Sequence, residues 1–117
     1  MITTSILKQL KLESSKKHLM ISVEETMEET GLTIPYGKDV IFVALNVNQT
    51  LFQLTVTLAH ELVHVKQYAK GLLKPGIRGA TKWRGKSYPK KTPYLDRPWE
   101  LQAFAQQEIL TRRALET

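Results

Sequence analysis

His60 and His64 stand four residues apart, with Glu61 beside the first, in the run His60-Glu61-Leu62-Val63-His64. On a helix, residues four apart are separated by about 40° around the axis and one turn along it. Both imidazoles can therefore reach one metal ion from the same side. Glu61 projects about 100° further round. That is too far for a natural ligand, but within reach of a water at the ion's open position. Zinc acidifies such a water, and a nearby carboxylate can take its proton as the water attacks a carbonyl. The spacing therefore points to a zinc (Zn2+) site with His60 and His64 as ligands and Glu61 as general base.

The surrounding residues argue against a chance match between two core histidines. Asn48 or Thr50 can cap a helix that runs to about Lys70, where Gly71 fits its C-terminal end and Pro75 prevents continuation. Along it Gln53, Thr57, His60, His64 and Gln67 share a polar face. Leu51, Leu54, Leu58, Leu62, Val65 and Ala69 form one apolar stripe, and Phe52, Val56, Ala59 and Val63 a second. A helix apolar over most of its girth belongs in a domain's interior. Its polar face is then expected to open into a cleft.

A catalytic zinc site usually takes a third protein ligand. The chain has no cysteine, which excludes disulfides, thiolate zinc sites and a cysteine nucleophile. No histidine follows His64, and His18 is the one upstream rival. The downstream carboxylates are Asp96, Glu100, Glu108 and Glu116. Asp96, Arg97 and Pro98 can open a last helix running to about Arg113, with Asp96 as its N-cap. Glu100 then falls in the first turn, where a side chain has a defined direction, and is the favoured third ligand. Asp96 is more simply a cap, and Glu108 fits a solvated helix position equally well.

Other elements must hold this pair of helices. Ser5 to Leu12 reads as a short helix with Ile6, Leu7 and Leu10 on one side. Residues 16–31 admit either a helix, through Leu19, Met20, Val23 and Met27, or a strand over His18 to Val23. The strand is favoured, because a minimal sheet needs a partner for the next segment. Thr33 to Lys38 carries Pro and Gly punctuation, and Asp39 to Asn46 reads as a strand. Gly71 to Leu95, rich in Gly, Pro and Lys, reads as an irregular excursion or a hairpin, longer than ordinary connections. The expected class is α+β, with residues 1–117 forming a single domain of common size.

Charge is unevenly spread. The net charge is +6, yet no acidic residue lies between Leu62 and Leu95, where nine basic residues fall. Trp83, Tyr88 and Tyr94 are interleaved with them, while Glu24, Glu25, Glu28 and Glu29 cluster near the start. Such a basic region could bind phosphates, favour acidic peptides, or be a solvated loop anchored by its aromatics. Apolar runs such as Val40 to Leu45 are too short to cross a bilayer, and the first residues lack the layout of a cleaved signal. A cytoplasmic, monomeric protein is expected.

The run Leu58-Ala59-His60-Glu61-Leu62-Val63-His64-Val65-Lys66-Gln67-Tyr68 is followed by Trp83-Arg84-Gly85 and by Pro93-Tyr94-Leu95-Asp96-Arg97-Pro98-Trp99-Glu100. Over roughly residues 39 to 110 the chain resembles the small SprT-like or minigluzincin-type peptidases found in many phages. The resemblance implies a minimal zincin-like fold, with a small sheet packed on an active-site helix and a second, glutamate-bearing helix. It implies peptide-bond hydrolysis with His60, His64 and Glu100 as ligands, and a cleft shaped by Trp83 and Tyr94. Tyr88, Tyr94 and Arg97 are the candidates for stabilising an oxyanion. The better-known SprT-like proteins use a third downstream histidine, which this chain lacks.

Three functions compete. The first is a zinc metallopeptidase acting on peptides or proteins. The second is a basic nucleic-acid-associated module, including a peptidase acting on DNA-bound proteins. The third, an inactive zincin-like domain that binds a partner, is disfavoured by the intact Glu61.

Overall fold

The computed structural model describes residues 2–12 and 17–116. Its α+β chain order is helix α1 (Ile2–Gln9), strands β1 (His18–Glu24), β2 (Gly31–Tyr36) and β3 (Val40–Asn46), and helix α2 (Leu51–Ala69). Short strands β4 (Leu73–Pro75), β5 (Thr81–Trp83) and β6 (Lys86–Tyr88) follow, and then helix α3 (Pro98–Leu115).

The first sheet has the order β1-β3-β2. Central β3 pairs in parallel with β1 and antiparallel with β2. Its alternation places Ile41, Val43 and Leu45 in the core with Leu58, Leu62 and Val65 of α2. Leu110 and Ala114 of α3 and Ile6 and Leu10 of α1 complete that cluster. The Gln9 side-chain amide donates to the Leu110 carbonyl at 3.1 Å, fastening α1 to α3.

Thr50 is the N-cap of α2. Its hydroxyl accepts from the Gln53 amide, and the Gln53 side chain accepts from the Thr50 amide, so two orphan donors are satisfied reciprocally. At the other end Gly71 adopts φ +72°, the left-handed conformation that ends helices.

Several expectations need correction. The first helix ends at Gln9, and Lys11 with φ 58° takes the chain out of it. The segment with Pro35, marked in the sequence only by its Pro and Gly punctuation, is strand β2. It lies at a sheet edge, where a proline removes no ladder bond from a neighbour. Of the ambiguous residues 16–31, His18–Glu24 form the strand that was favoured there, and residue 16 lies outside the described residues. Of the two alternatives for Gly71 to Leu95, the hairpin is the one found, extended by a third strand into an antiparallel sheet, β4-β5-β6. Strands of three residues are too short to display a period of two in sequence. Asp96 does not cap α3; it lies in a 3-10 turn, and Arg97 occupies the N-cap without a side-chain bond to the helix. Both apolar stripes of α2 also start later than expected, since Leu51 and Phe52 are 72% and 60% exposed.

The second sheet is anchored by its inner face. Leu73 and Trp83 are buried with Trp99 of α3, and Tyr88 packs edge-on to Trp99 with ring centroids 5.4 Å apart. No helix among the described residues is long and apolar enough to cross a membrane.

Candidate metal centre

The packing of α3 along α2 brings Glu100 to the two histidines. His60 Nε2 lies 2.9 Å from Glu100 Oε1, His64 Nε2 lies 3.0 Å from the same oxygen, and the two Nε2 atoms are 3.2 Å apart. Among the described residues these three form the group able to hold a metal ion, with one ligand atom each within 4.8 Å of the others. Asp96, Glu108 and His18 are not brought to it.

The ring tautomers follow from the outer partners. Gln67 is 1% exposed, and its amide nitrogen donates to the Trp99 carbonyl at 3.0 Å and to Gln102 Oε1 at 2.9 Å. Its Oε1 must therefore be the atom facing His64 Nδ1 at 2.7 Å, so that Nδ1 carries the proton. Gln107 Oε1 faces His60 Nδ1 at 2.9 Å. Both Nε2 atoms are thereby turned inward as lone-pair donors, beside a carboxylate oxygen. Three lone pairs at such separations repel one another unless a cation lies among them, a proton or a metal ion. Two imidazoles and one carboxylate form a donor set that suits zinc and leaves a coordination position open.

With a proton as that cation in place of a metal ion, an Nε2–H donates to Glu100. Burial opposes ionisation of Glu100, but the hydrogen bonds from His60 and His64 outweigh it and hold the carboxyl well below its usual range. Burial lowers the basicity of His64, yet the hydrogen bond and charge of Glu100 leave its pKa raised overall.

A cavity of about 540 Å³ opens on this group. Its walls include Gly31 and Thr33 of β2, Glu61, Tyr94, Arg97 and Phe104. Tyr94 donates its hydroxyl to Glu100 Oε1 at 3.0 Å. Burial and the nearby carboxylate push the phenol well above its ordinary pKa, so it stays protonated. Arg97 uses its Nε to hold the Thr92 carbonyl at 3.0 Å. Tyr88 does not line the cavity. Nor does Trp83, expected to shape the cleft: it lies behind, in the cluster that seats α3.

Three residues were not singled out as supports from the sequence. Gln67 did fall on the polar face of α2, three residues beyond His64. Gln107 lies two turns beyond Glu100 on α3, a spacing that could have paired them once Glu100 was favoured. Thr33 had no signal, because its segment reads as a turn.

Comparison of the chain with protein-family models, curated proteins and solved structures returned no match.

Proposed function

We propose that the chain is a zinc-dependent metallopeptidase of minimal zincin-like architecture, as its likeness to small SprT-like and minigluzincin-type peptidases implies. The convergence of His60 Nε2, His64 Nε2 and Glu100 Oε1 at 2.9 to 3.2 Å, with Glu61 beside them in one cavity, carries this reading. Zinc, when bound there, supplies Lewis acidity toward a water and a peptide carbonyl.

The chain's own residues have separate tasks. Gln67 and Gln107 keep both Nδ1 atoms protonated, so that the Nε2 lone pairs face the ion. Glu100 adds one negative charge to the donor set. Glu61, 7% exposed, accepts a proton from the attacking water. The Tyr94 hydroxyl, protonated and 3.0 Å from a ligand oxygen, donates to the oxygen on which charge develops. Strand β2 has a free edge beside the cavity, which offers backbone groups to an extended peptide.

Replacing Glu61 by Gln tests the assignment. The variant should keep its zinc and lose peptide hydrolysis, while His60→Ala loses both. Zinc loss in Glu61→Gln equal to that in His60→Ala, or full activity without the carboxylate, would overturn it.

The runner-up is a nucleic-acid-associated module. Its support is the second sheet, where Lys74 and Lys82 face each other across paired strands and are exposed. Neither has an acidic partner among the described residues. Against it, Trp83 and Tyr88 are packed inward and are not free to stack on bases.

A further inference from the structure

Nothing on α2 itself holds the carboxylate of Glu61; the groups that touch it lie on β2. We propose that Gly31 and Thr33 of this edge strand are positioning residues for Glu61. The bare Cα of Gly31 admits the side chain, and the Thr33 hydroxyl fixes its carboxylate. The catalytic consequence rests on the peptidase reading above; the contact does not.

Thr33 Oγ1 lies 2.7 Å from Glu61 Oε1 and 3.1 Å from the carbonyl oxygen of the same residue. A hydroxyl has one proton, and the shorter, charge-assisted bond to the carboxylate takes it. No other described residue donates to that carboxylate. With Oε1 so tied, Oε2 remains to accept a proton. A Cβ on Gly31 would stand 2.7 Å from Thr57 Cγ2, 3.0 Å from Glu61 Cγ and 3.1 Å from Glu61 Oε2. Even alanine would therefore displace the Thr57 methyl or β2 and press on the Glu61 side chain.

The two positions act together because of strand geometry. Residues two apart share a face of a strand, so Gly31 and Thr33 both turn toward α2. Their partners on β3 are Leu45 and Val43, both buried against α2. A slip of one residue would bring Leu32 to the carboxylate in place of the hydroxyl. The core of the first sheet thus sets where the base points.

The test uses the zinc-loaded protein and four variants: Thr33→Val, Thr33→Ser, Gly31→Ala and Glu61→Ala. Zinc content, KM and kcat are measured separately. Thr33→Val should keep its zinc and hold KM within about twofold, while kcat falls about 10- to 100-fold. Thr33→Ser should recover most of the loss, because it restores the hydroxyl without the methyl. Gly31→Ala should lower kcat without releasing zinc. A Thr33→Val enzyme with the parent's kcat would overturn the proposal, as would a Thr33→Ser enzyme no better than Thr33→Val.

A thermal double-mutant cycle on the metal-free protein reads the contact without any activity. Thr33→Val should lower the melting temperature in the parent and much less in the Glu61→Ala background. Equal shifts in the two backgrounds would also overturn it. A parent that binds no zinc or cleaves no peptide would instead sink the peptidase reading, and the cycle would still decide the contact.

Discussion

His64 Nδ1 lies 2.7 Å from Gln67 Oε1, and the amide nitrogen of the same Gln67 lies 3.0 Å from the carbonyl of Trp99, the residue before Glu100. One side chain therefore orients the His64 imidazole on α2 and docks the first turn of α3. Gln67→Leu keeps the approximate volume but leaves the His64 ring N–H without its partner and removes the bonds to the Trp99 carbonyl and to Gln102 Oε1. Each such loss costs about 1 to 3 kcal/mol. We expect a lower melting temperature and zinc affinity reduced about 10- to 100-fold, as for other outer partners of ligating histidines. Gln107→Leu removes one bond, to His60, and should weaken zinc with a smaller change in melting temperature. Titration with a competing chelator alongside thermal melting checks both.

Glu100→Gln should weaken zinc by at least about 100-fold, more than the loss of an outer partner. Glu108→Gln, Asp96→Asn and His18→Ala should bind like the parent, since none of these residues is brought to the cluster. The same chelator titration across the series decides it. Parent-like binding by Glu100→Gln, with loss in His18→Ala, would move the third ligand upstream.

Ala103 is wholly buried in the core cluster it shares with Leu62 and Val63 of α2, three residues after Glu100. Ala103→Leu should force the two helices apart. Overpacking of this kind costs about 1 to 3 kcal/mol. The expected result is a lower melting temperature together with weaker zinc binding, because Glu100 is withdrawn from the histidines. A variant that loses stability while binding zinc at full affinity would show that the helix spacing does not set the site.

Tyr94→Phe removes the hydroxyl 3.0 Å from Glu100 Oε1 and leaves the ring stacked edge-on to Phe104. Loss of one oxyanion donor typically lowers kcat about 100- to 1,000-fold. KM and zinc content should change little. Steady-state kinetics on one peptide with matched zinc loading checks it, and Arg97→Lys serves as the comparison for the other candidate donor.

Lys82, Arg84, Lys86, Lys90 and Lys91 are all exposed, and the aromatics among them face inward. Replacing the five by Gln should shift the melting temperature by no more than a few degrees. Cleavage of acidic peptides should fall relative to neutral ones. A fall in DNA affinity with unchanged peptide preference would favour the nucleic-acid reading, and no change in either would mark a solvated surface.

The part of the site legible in the sequence is the part built within one helix. His60, Glu61 and His64 owe their relation to a turn of 3.6 residues, which is a property of the backbone alone. The ends of α2 were legible for the same reason: Thr50 with Gln53 and Gly71 act within a few residues of themselves. Strand β3 was legible because β-branched and aromatic residues fill a run too short for a typical helix. Strand β2 was not, since Pro35 and Gly37 carry the local signals of a turn. Only its pairing with β3 at an edge makes a proline admissible there. The second sheet depends likewise on Trp99, a distant residue that gives Leu73 and Trp83 something to pack on.

From the chain alone came two imidazoles placed to share a metal ion, a carboxylate beside them and the absence of any thiol. The sequence ranked Glu100 first among several carboxylates without excluding the others, because the first turn of a helix has a direction but no known distance from another helix. Tertiary packing decided that distance: Ala103 lets α3 approach, Trp99 seats its start, and Gln67 bonds across the gap. The same packing chose the outer partners Gln107 and Thr33, which lie 47 residues from His60 and 28 residues from Glu61. Contacts across such separations follow from how apolar faces fit together, and no local spacing encodes that fit.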